Sequence, residues 1–369
     1  MRRISLLPAL VVVSLGVAAC GGATNSASKV EQPSGDLGGD NLSNPTVADT
    51  GAKEASAACL AGKAISGRAV RVVTTVAPIT NLVGLIAGNI GPVVQGIVPE
   101  GTNSHTFEPP PSSAATLENA DIIFVNGMAL EDPTLDLAKA NAKNALICEI
   151  GTAVLAESDW IYDFSFPKEG GKPNPHLWTN PPMVLKYITL IRDVLVKADP
   201  QNVDKYDANY VAVSSVVMQL DAAMKTATET IPANDRKLLT YHDAYAYFAV
   251  HYGYDVIGAI QPQSFEEPSP KDIASLIDQV KSQAVKAVFG SEVFPSPVLE
   301  QIGKETGVKY VDVLRDDDLL GKPGDADHSW AGLMKFDYIT MVEALGGNAA
   351  ALKAVKIDTG INDKANYPQ

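Results

Sequence analysis

The chain has 369 residues, room for more than one domain, and 46% of them are hydrophobic, as in an ordinary globular protein. A formal net charge of -14 argues against general attraction to nucleic acid or anionic lipid. Neither type of glycine-rich nucleotide-binding loop occurs.

Residues 1–20 have the pattern of a lipoprotein signal peptide. Arg2 and Arg3 precede an apolar run over residues 4–17 that is too short to span a bilayer comfortably. Val17-Ala18-Ala19-Cys20-Gly21 sets small residues before a cysteine, which makes Cys20 the expected lipidated first residue of the mature chain. Plain secretion with cleavage after an alanine is the alternative. Residues 21–67 are rich in Gly, Ser, Asn, Asp and Ala and nearly lack aromatics, so they are expected to form a flexible tether. In an oxidising extracytoplasmic compartment the remaining cysteines, Cys59 and Cys148, are candidates to pair. The competing reading is a buried thiol at Cys148 and a free Cys59 in the tether.

From residue 68 onward, strands alternate with helices. Residues 70–76, 93–98, 121–125 and 145–150 read as strands, and 78–87, 112–119 (with a serine cap) and 133–142 as helices. Residues 99–111 form a proline-rich loop containing His105 and Glu108. After a stretch of aromatics and glycines comes Asn174-Pro175-His176-Leu177-Trp178-Thr179-Asn180-Pro181, whose prolines fix the backbone around one histidine. A helix over 182–197 follows, broken at Asp199-Pro200, then a longer one over 203–230 with Tyr206, Tyr210, Val213, Val217, Leu220 and Met224 on one stripe. It contains no internal Gly or Pro and is expected to be rigid.

The alternation then repeats: strands over 236–241, 255–260, 286–290 and 309–314, and helices over 244–252, 270–283, 297–306 and 330–345. Ser269 and Pro270 have the residue types that start a helix. The expected fold is α/β: two lobes, each a roughly four-stranded parallel sheet with flanking helices, joined by one long rigid helix. Its expected divisions are 68–200 for the N-terminal lobe, 201–232 for the linking helix, 233–349 for the C-terminal lobe and 350–369 for a small surface extension.

In open parallel sheets, ligands bind beyond the carboxyl ends of the strands. His105 follows a strand by a short loop, His242 follows one directly, and Asp316, Asp317 and Asp318 follow the last. With His176 they would offer three imidazoles and a carboxylate in the cleft between lobes, a donor set suited to a divalent transition metal. His251, among aromatic residues, reads as a packed or surface histidine.

Six sequence pieces stand in order between residues 68 and about 347: Asn103-Ser104-His105-Thr106-Phe107-Glu108-Pro109, Asn174-Pro175-His176-Leu177-Trp178, Tyr241-His242-Asp243-Ala244-Tyr245-Ala246-Tyr247-Phe248, Glu267-Pro268-Ser269-Pro270-Lys271-Asp272, Phe289-Gly290-Ser291-Glu292 and Asp317-Asp318-Leu319. Together they resemble the periplasmic metal-binding family of bacterial ABC transporters, the zinc and manganese cluster that includes the lipoprotein adhesins. The resemblance implies His105, His176, His242 and Asp317 as metal ligands, with Asp316 and Asp318 left open as alternatives. It also implies zinc, because His242 stands where manganese binders of the family usually carry glutamate, and nitrogen donors favour zinc. Residues 151–173 lack the His-rich loop of many zinc members, which keeps manganese and iron(II) open. Glu292 is expected to support the site or cap a strand, and His328 to lie on the surface or serve as an accessory ligand.

The expected function is capture of a divalent metal outside the cell and its delivery to an ABC-type membrane permease. The chain is expected to be a non-enzymatic monomer, held to the membrane by lipid on Cys20 at its periplasmic or cell-surface side, with no nucleic-acid partner. Two other functions are weighed against this: an adhesin-type lipoprotein with a structural metal, and a metallohydrolase, for which no HExxH-type motif exists.

Overall fold

The computed structural model describes residues 50–261, 268–291 and 297–369. The signal segment with Cys20, the tether up to residue 49 and Glu292 lie outside them. The first lobe runs α1 (Thr50–Cys59), β1 (Arg71–Thr74), α2 (Ala77–Ala87), β2 (Val93–Gly96), α3 (Ser113–Glu118), β3 (Ile122–Val125), α4 (Asp132–Asn141), β4 (Leu146–Glu149), α5 (Ile150–Val154) and α6 (Pro181–Ala198). Its four strands are all parallel, in the order β2-β1-β3-β4. Every residue of β3 is buried, as a central strand covered on both faces requires, whereas Val93 on edge strand β2 is exposed.

Next comes α7 (Val203–Glu229), whose 27 residues span about 40 Å at 1.5 Å each. The second lobe continues with β5 (Lys237–Thr240), α8 (Ala246–Tyr252), β6 (Asp255–Ala259), α9 (Pro270–Ser282), β7 (Ala287–Ser291), α10 (Pro297–Thr306), β8 (Lys309–Leu314), α11 (Trp330–Ala344) and α12 (Ala350–Ala354). Its sheet, β6-β5-β7-β8, repeats the order of the first and is again parallel. Two parallel four-stranded sheets with flanking helices are thus the architecture expected from the strand–helix alternation.

The lobes are not separate bodies bridged by a rod. α7 packs on α2 and α6 of the first lobe and on α8, α11 and α12 of the second. One continuous apolar core runs through Val72, Ile79, Trp178, Leu220, Phe248, Trp330 and Tyr338, contributed by both lobes and α7. Movement between lobes would have to open this close-packed surface, which resists gradual deformation.

Helix starts follow side-chain chemistry in part. Ser269 accepts from the Asp272 N–H while the Asp272 carboxylate accepts from the Ser269 N–H, a reciprocal cap in front of Pro270. Ser112, expected to cap α3, has helical backbone and caps nothing. α5 follows β4 without a break, so the strand expected through residue 150 ends at Glu149.

Two terminal expectations change. The tether was expected to continue to residue 67, yet residues 50–59 form α1, which packs on α5 and buries Ala52 and Cys59. Four alanines favour the helix, and a disulfide between Cys59 and Cys148 fastens it to β4. The C-terminal extension is more than a surface addition. Its last residues return to the first lobe along β2, where Asn366 N–H donates to Val94 O and Gly96 N–H to Asn366 O, both at 2.9 Å. This covers a sheet edge that would otherwise be open to other chains. Gly84 makes room for it, since a Cβ there would lie 2.2 Å from Asp363 Oδ1.

The disulfide spans a sequence separation of 89 residues, for which restriction of the unfolded chain contributes about 4–5 kcal/mol. The double variant Cys59→Ser, Cys148→Ser is therefore expected to unfold at clearly lower urea concentration than the oxidised chain. An unchanged midpoint would mean that packing alone holds α1.

Candidate metal centre

Both histidines of the first lobe are set by the same local device. In Asn103-Ser104-His105, Asn103 Oδ1 accepts the His105 N–H at 3.0 Å, and in Asn174-Pro175-His176, Asn174 Oδ1 accepts the His176 N–H at 3.1 Å. An asparagine two residues before the histidine thus folds each loop into a turn. The repeated Asn-x-His spacing is the sequence signal of this device. His242 stands two residues past β5, and Asp317 three residues past β8. All four are delivered to the carboxyl edges of the two sheets, where they meet.

His105 Nε2 lies 3.1 Å from both His176 Nε2 and His242 Nε2, and His176 Nε2 lies 3.8 Å from Asp317 Oδ1. The four donor atoms all fall within 4.8 Å of one another, and among the described residues they form the one such group of His, Cys, Asp and Glu side chains. Bonds of 2.0–2.1 Å in a tetrahedron place nitrogen donors about 3.3 Å apart, close to what is seen. His176, His242 and Asp317 are buried, while His105 keeps partial exposure.

The groups behind the donors orient them. His176 Nδ1 faces Asn174 Oδ1 at 2.8 Å, and His242 Nδ1 faces Asp316 Oδ2 at 2.5 Å. An acceptor at each Nδ1 holds a proton there, so the Nε2 lone pair points inward. Asp317 Oδ2 accepts from Ser104 Oγ at 2.7 Å, while its buried Oδ1 has no hydrogen-bond partner and faces the histidines. One shared proton can lie along one of the 3.1 Å nitrogen contacts at a time, whereas a divalent cation engages every donor at once. The donor set therefore fits a metal ion.

The charges agree. Burial, then the charge of His242, holds His105 and His176 well below the usual imidazole range. Burial also pushes His242 down, but Asp316 and Asp317 together outweigh it and lift its pKa to about 9. Burial raises Asp317 to about 6.

The other expected residues separate. Asp316 lies behind His242 and also accepts from Ser291 Oγ at 3.1 Å. Asp318 turns away, its Oδ2 accepting from the Gly101 N–H at 2.6 Å. His328 is neither a surface residue nor part of the cluster: it is buried against Glu100, 3.1 Å from Oε1, and against the Tyr367 ring. Trp178 packs on His176 and donates its N–H to Asp316 O at 2.9 Å, joining the lobes directly behind the site.

Two further residues, Phe166 and Asp163, cover the site. Phe166 lies over His105 and His176, with ring centroids 5.5 and 5.7 Å away. Asp163, on the same segment, stands near Asp243, and burial raises both carboxyl pKa values, with repulsion from Asp243 adding to the rise at Asp163. Asn174 Nδ2 donates to Asp163 Oδ2 and to Asp243 O, tying that cover to both lobes. The aromatic and acidic composition of 159–166 was the only signal for it.

Known proteins agree with this architecture. The manganese-binding lipoprotein MntA of Halalkalibacterium halodurans is 28% identical over 288 residues, covering 77% of this chain and 91% of its own. The iron ABC transporter substrate-binding lipoprotein MtsA of Streptococcus pyogenes serotype M1 is 30% identical over 279 residues, covering 74% and 88%. The structure of the periplasmic zinc binding protein TroA from Treponema pallidum matches with a TM-score of 0.68 and 24% identity, covering 76% of this chain and 99% of that one, a likeness of fold. The family described as zinc-uptake complex component A, periplasmic (ZnuA), matches residues 72–344, and the chain belongs to this family of metal-binding solute-binding proteins, which are transport components and not enzymes.

Proposed function

We propose that this chain captures one divalent transition metal, zinc, outside the cytoplasm, through His105, His176, His242 and Asp317, and delivers it to an ABC-type import permease. The observation that carries the reading is the convergence of three imidazole Nε2 atoms and one unpartnered carboxylate oxygen, within 4.8 Å of one another. Three nitrogens and one oxygen suit zinc better than manganese, which favours oxygen-rich shells. Ser104 engages the second oxygen of Asp317, which favours a single bond from that carboxylate and a four-coordinate shell. Four protein donors fill such a shell and leave no position for an activated water, as storage and transfer of cargo require.

Manganese and iron(II) are the competing cargoes, since MntA is named for manganese and MtsA for iron. Residues 68–200 and 233–349 act as the two binding lobes, with the helix of 201–232 between them. Lipid on Cys20 anchors the body through the segment that follows, and the chain works as a monomer beside its permease.

Competitive titration of the metal-stripped chain with zinc and manganese tests the cargo. One equivalent of zinc is expected to bind, at least about 100-fold more tightly than manganese. Preferential manganese binding would overturn the choice of zinc, and uptake of neither would overturn the capture reading. His176→Ala is expected to weaken zinc by at least about 100-fold and Asp316→Asn by about 10-fold, both with the metal-free circular dichroism spectrum unchanged. Unaltered zinc affinity in His176→Ala would remove that residue from the ligand set.

A further inference from the structure

Just past β3, three consecutive residues take left-handed backbone: Gly127 (φ 75°), Met128 (54°) and Ala129 (61°). Glycine does this freely, but in Met128 and Ala129 the Cβ crowds the following carbonyl, so something must hold the turn. The residue in place to do so is Glu131, buried at 2% exposure. Its Oε1 accepts from the Asn126 N–H and from Thr75 Oγ1, each at 2.7 Å, and its Oε2 accepts from the Gly127 N–H at 3.2 Å.

Asn126, fixed in this way, reaches the loop of His176. Its Nδ2 donates to the carbonyl of Pro175, the residue before His176, at 3.0 Å, and the Tyr187 hydroxyl donates to its Oδ1 at 2.6 Å. Thr75 carries the other connection, because its carbonyl accepts the Val98 N–H where the chain leaves β2 for the loop of His105. One carboxylate therefore ties together the ends of β1 and β3 and both histidine-bearing loops of the first lobe. The hydrogen bonds it makes go to none of the four metal-donor side chains.

We propose that ionised Glu131 is a positioning residue for metal capture, setting the spacing of His105 and His176, and that its protonation loosens the site and weakens metal binding. This rests on the metal-capture reading above. A carboxylate offers acceptors to three donors, whereas a protonated carboxyl carries a hydrogen that must displace one of them. Burial opposes ionisation, the three donors favour it, and the balance lifts the pKa to about 7. The titratable groups around it are Tyr187 on α6, whose hydroxyl is kept protonated by burial and by Glu131, and Glu149 on β4, which stands beside Gly127 and lies 3.8 Å from Lys139 on α4. The site is thus tuned to hold metal above neutral pH and to loosen below it.

The test compares zinc dissociation constants of the full chain and of Glu131→Gln, side by side at pH 5.5, 7 and 8. The metal donors titrate in both proteins, so the ratio of the two constants isolates Glu131. The variant is expected to bind about tenfold more weakly at pH 8, with the ratio closing towards one at pH 5.5, where the wild-type carboxyl is protonated as well. A ratio that stays constant across the range overturns the proposal. Thr75→Val serves if Glu131→Gln does not fold. Losing one donor raises the carboxyl pKa further, so its ratio to wild type should peak near pH 7, and a flat ratio again overturns the proposal. A wild-type chain that binds no zinc overturns the metal-capture reading and this proposal with it.

Discussion

Two imidazole nitrogens each 3.1 Å from a third are an unfavourable arrangement unless a positive charge sits among them. With Asn174 Oδ1 at Nδ1 of His176 and the Asp316 carboxylate set against Nδ1 of His242, the Nε2 atoms of both rings face inward. His242 is lifted to about 9 by its aspartates, so without metal a proton supplies part of that charge. Metal entry replaces this proton, which couples affinity to pH in the usual way for sites whose ligands must be deprotonated.

Holding such a cluster needs a scaffold that does not relax. Each lobe contributes donors from the carboxyl edge of a parallel sheet, and the loops carrying them are tied across the lobe boundary. Trp178 donates to Asp316 O, Tyr338 to Thr179 O at 2.6 Å, and Thr179 to Ala244 O at 2.9 Å. Behind these bonds lies the continuous core through α7. Of the four candidate donors, His105, under Phe166, is the one that keeps partial exposure.

Much of this was legible in the sequence because it depends on periodicity and on residue types at strand ends. The β-branched runs gave parallel strands, the stripe from Tyr206 to Met224 gave α7, and histidines set off by proline or a strand end met in the cleft. What the sequence did not disclose depends on contacts between distant segments. In the run of three aspartates, only the fold separates Asp317 at the cluster from Asp316 behind His242 and Asp318 on Gly101. The buried pairing of His328 with Glu100, and the C-terminal residues along β2, join positions more than 200 residues apart. α1 was hidden because its composition resembles a linker, and its packing on α5 and the Cys59–Cys148 bridge show it to be docked. The turn at Met128 and Ala129 has glycine at just one of its three left-handed positions, so no residue type announced it.

The central claim, a four-coordinate site of three imidazoles and one carboxylate oxygen, is tested most directly by zinc-edge X-ray absorption on the zinc-loaded chain. The account predicts four nitrogen or oxygen neighbours at about 2.0 Å, with outer-shell scattering that requires three imidazoles. A six-coordinate, oxygen-rich shell, or one fitted by fewer imidazoles, would contradict it.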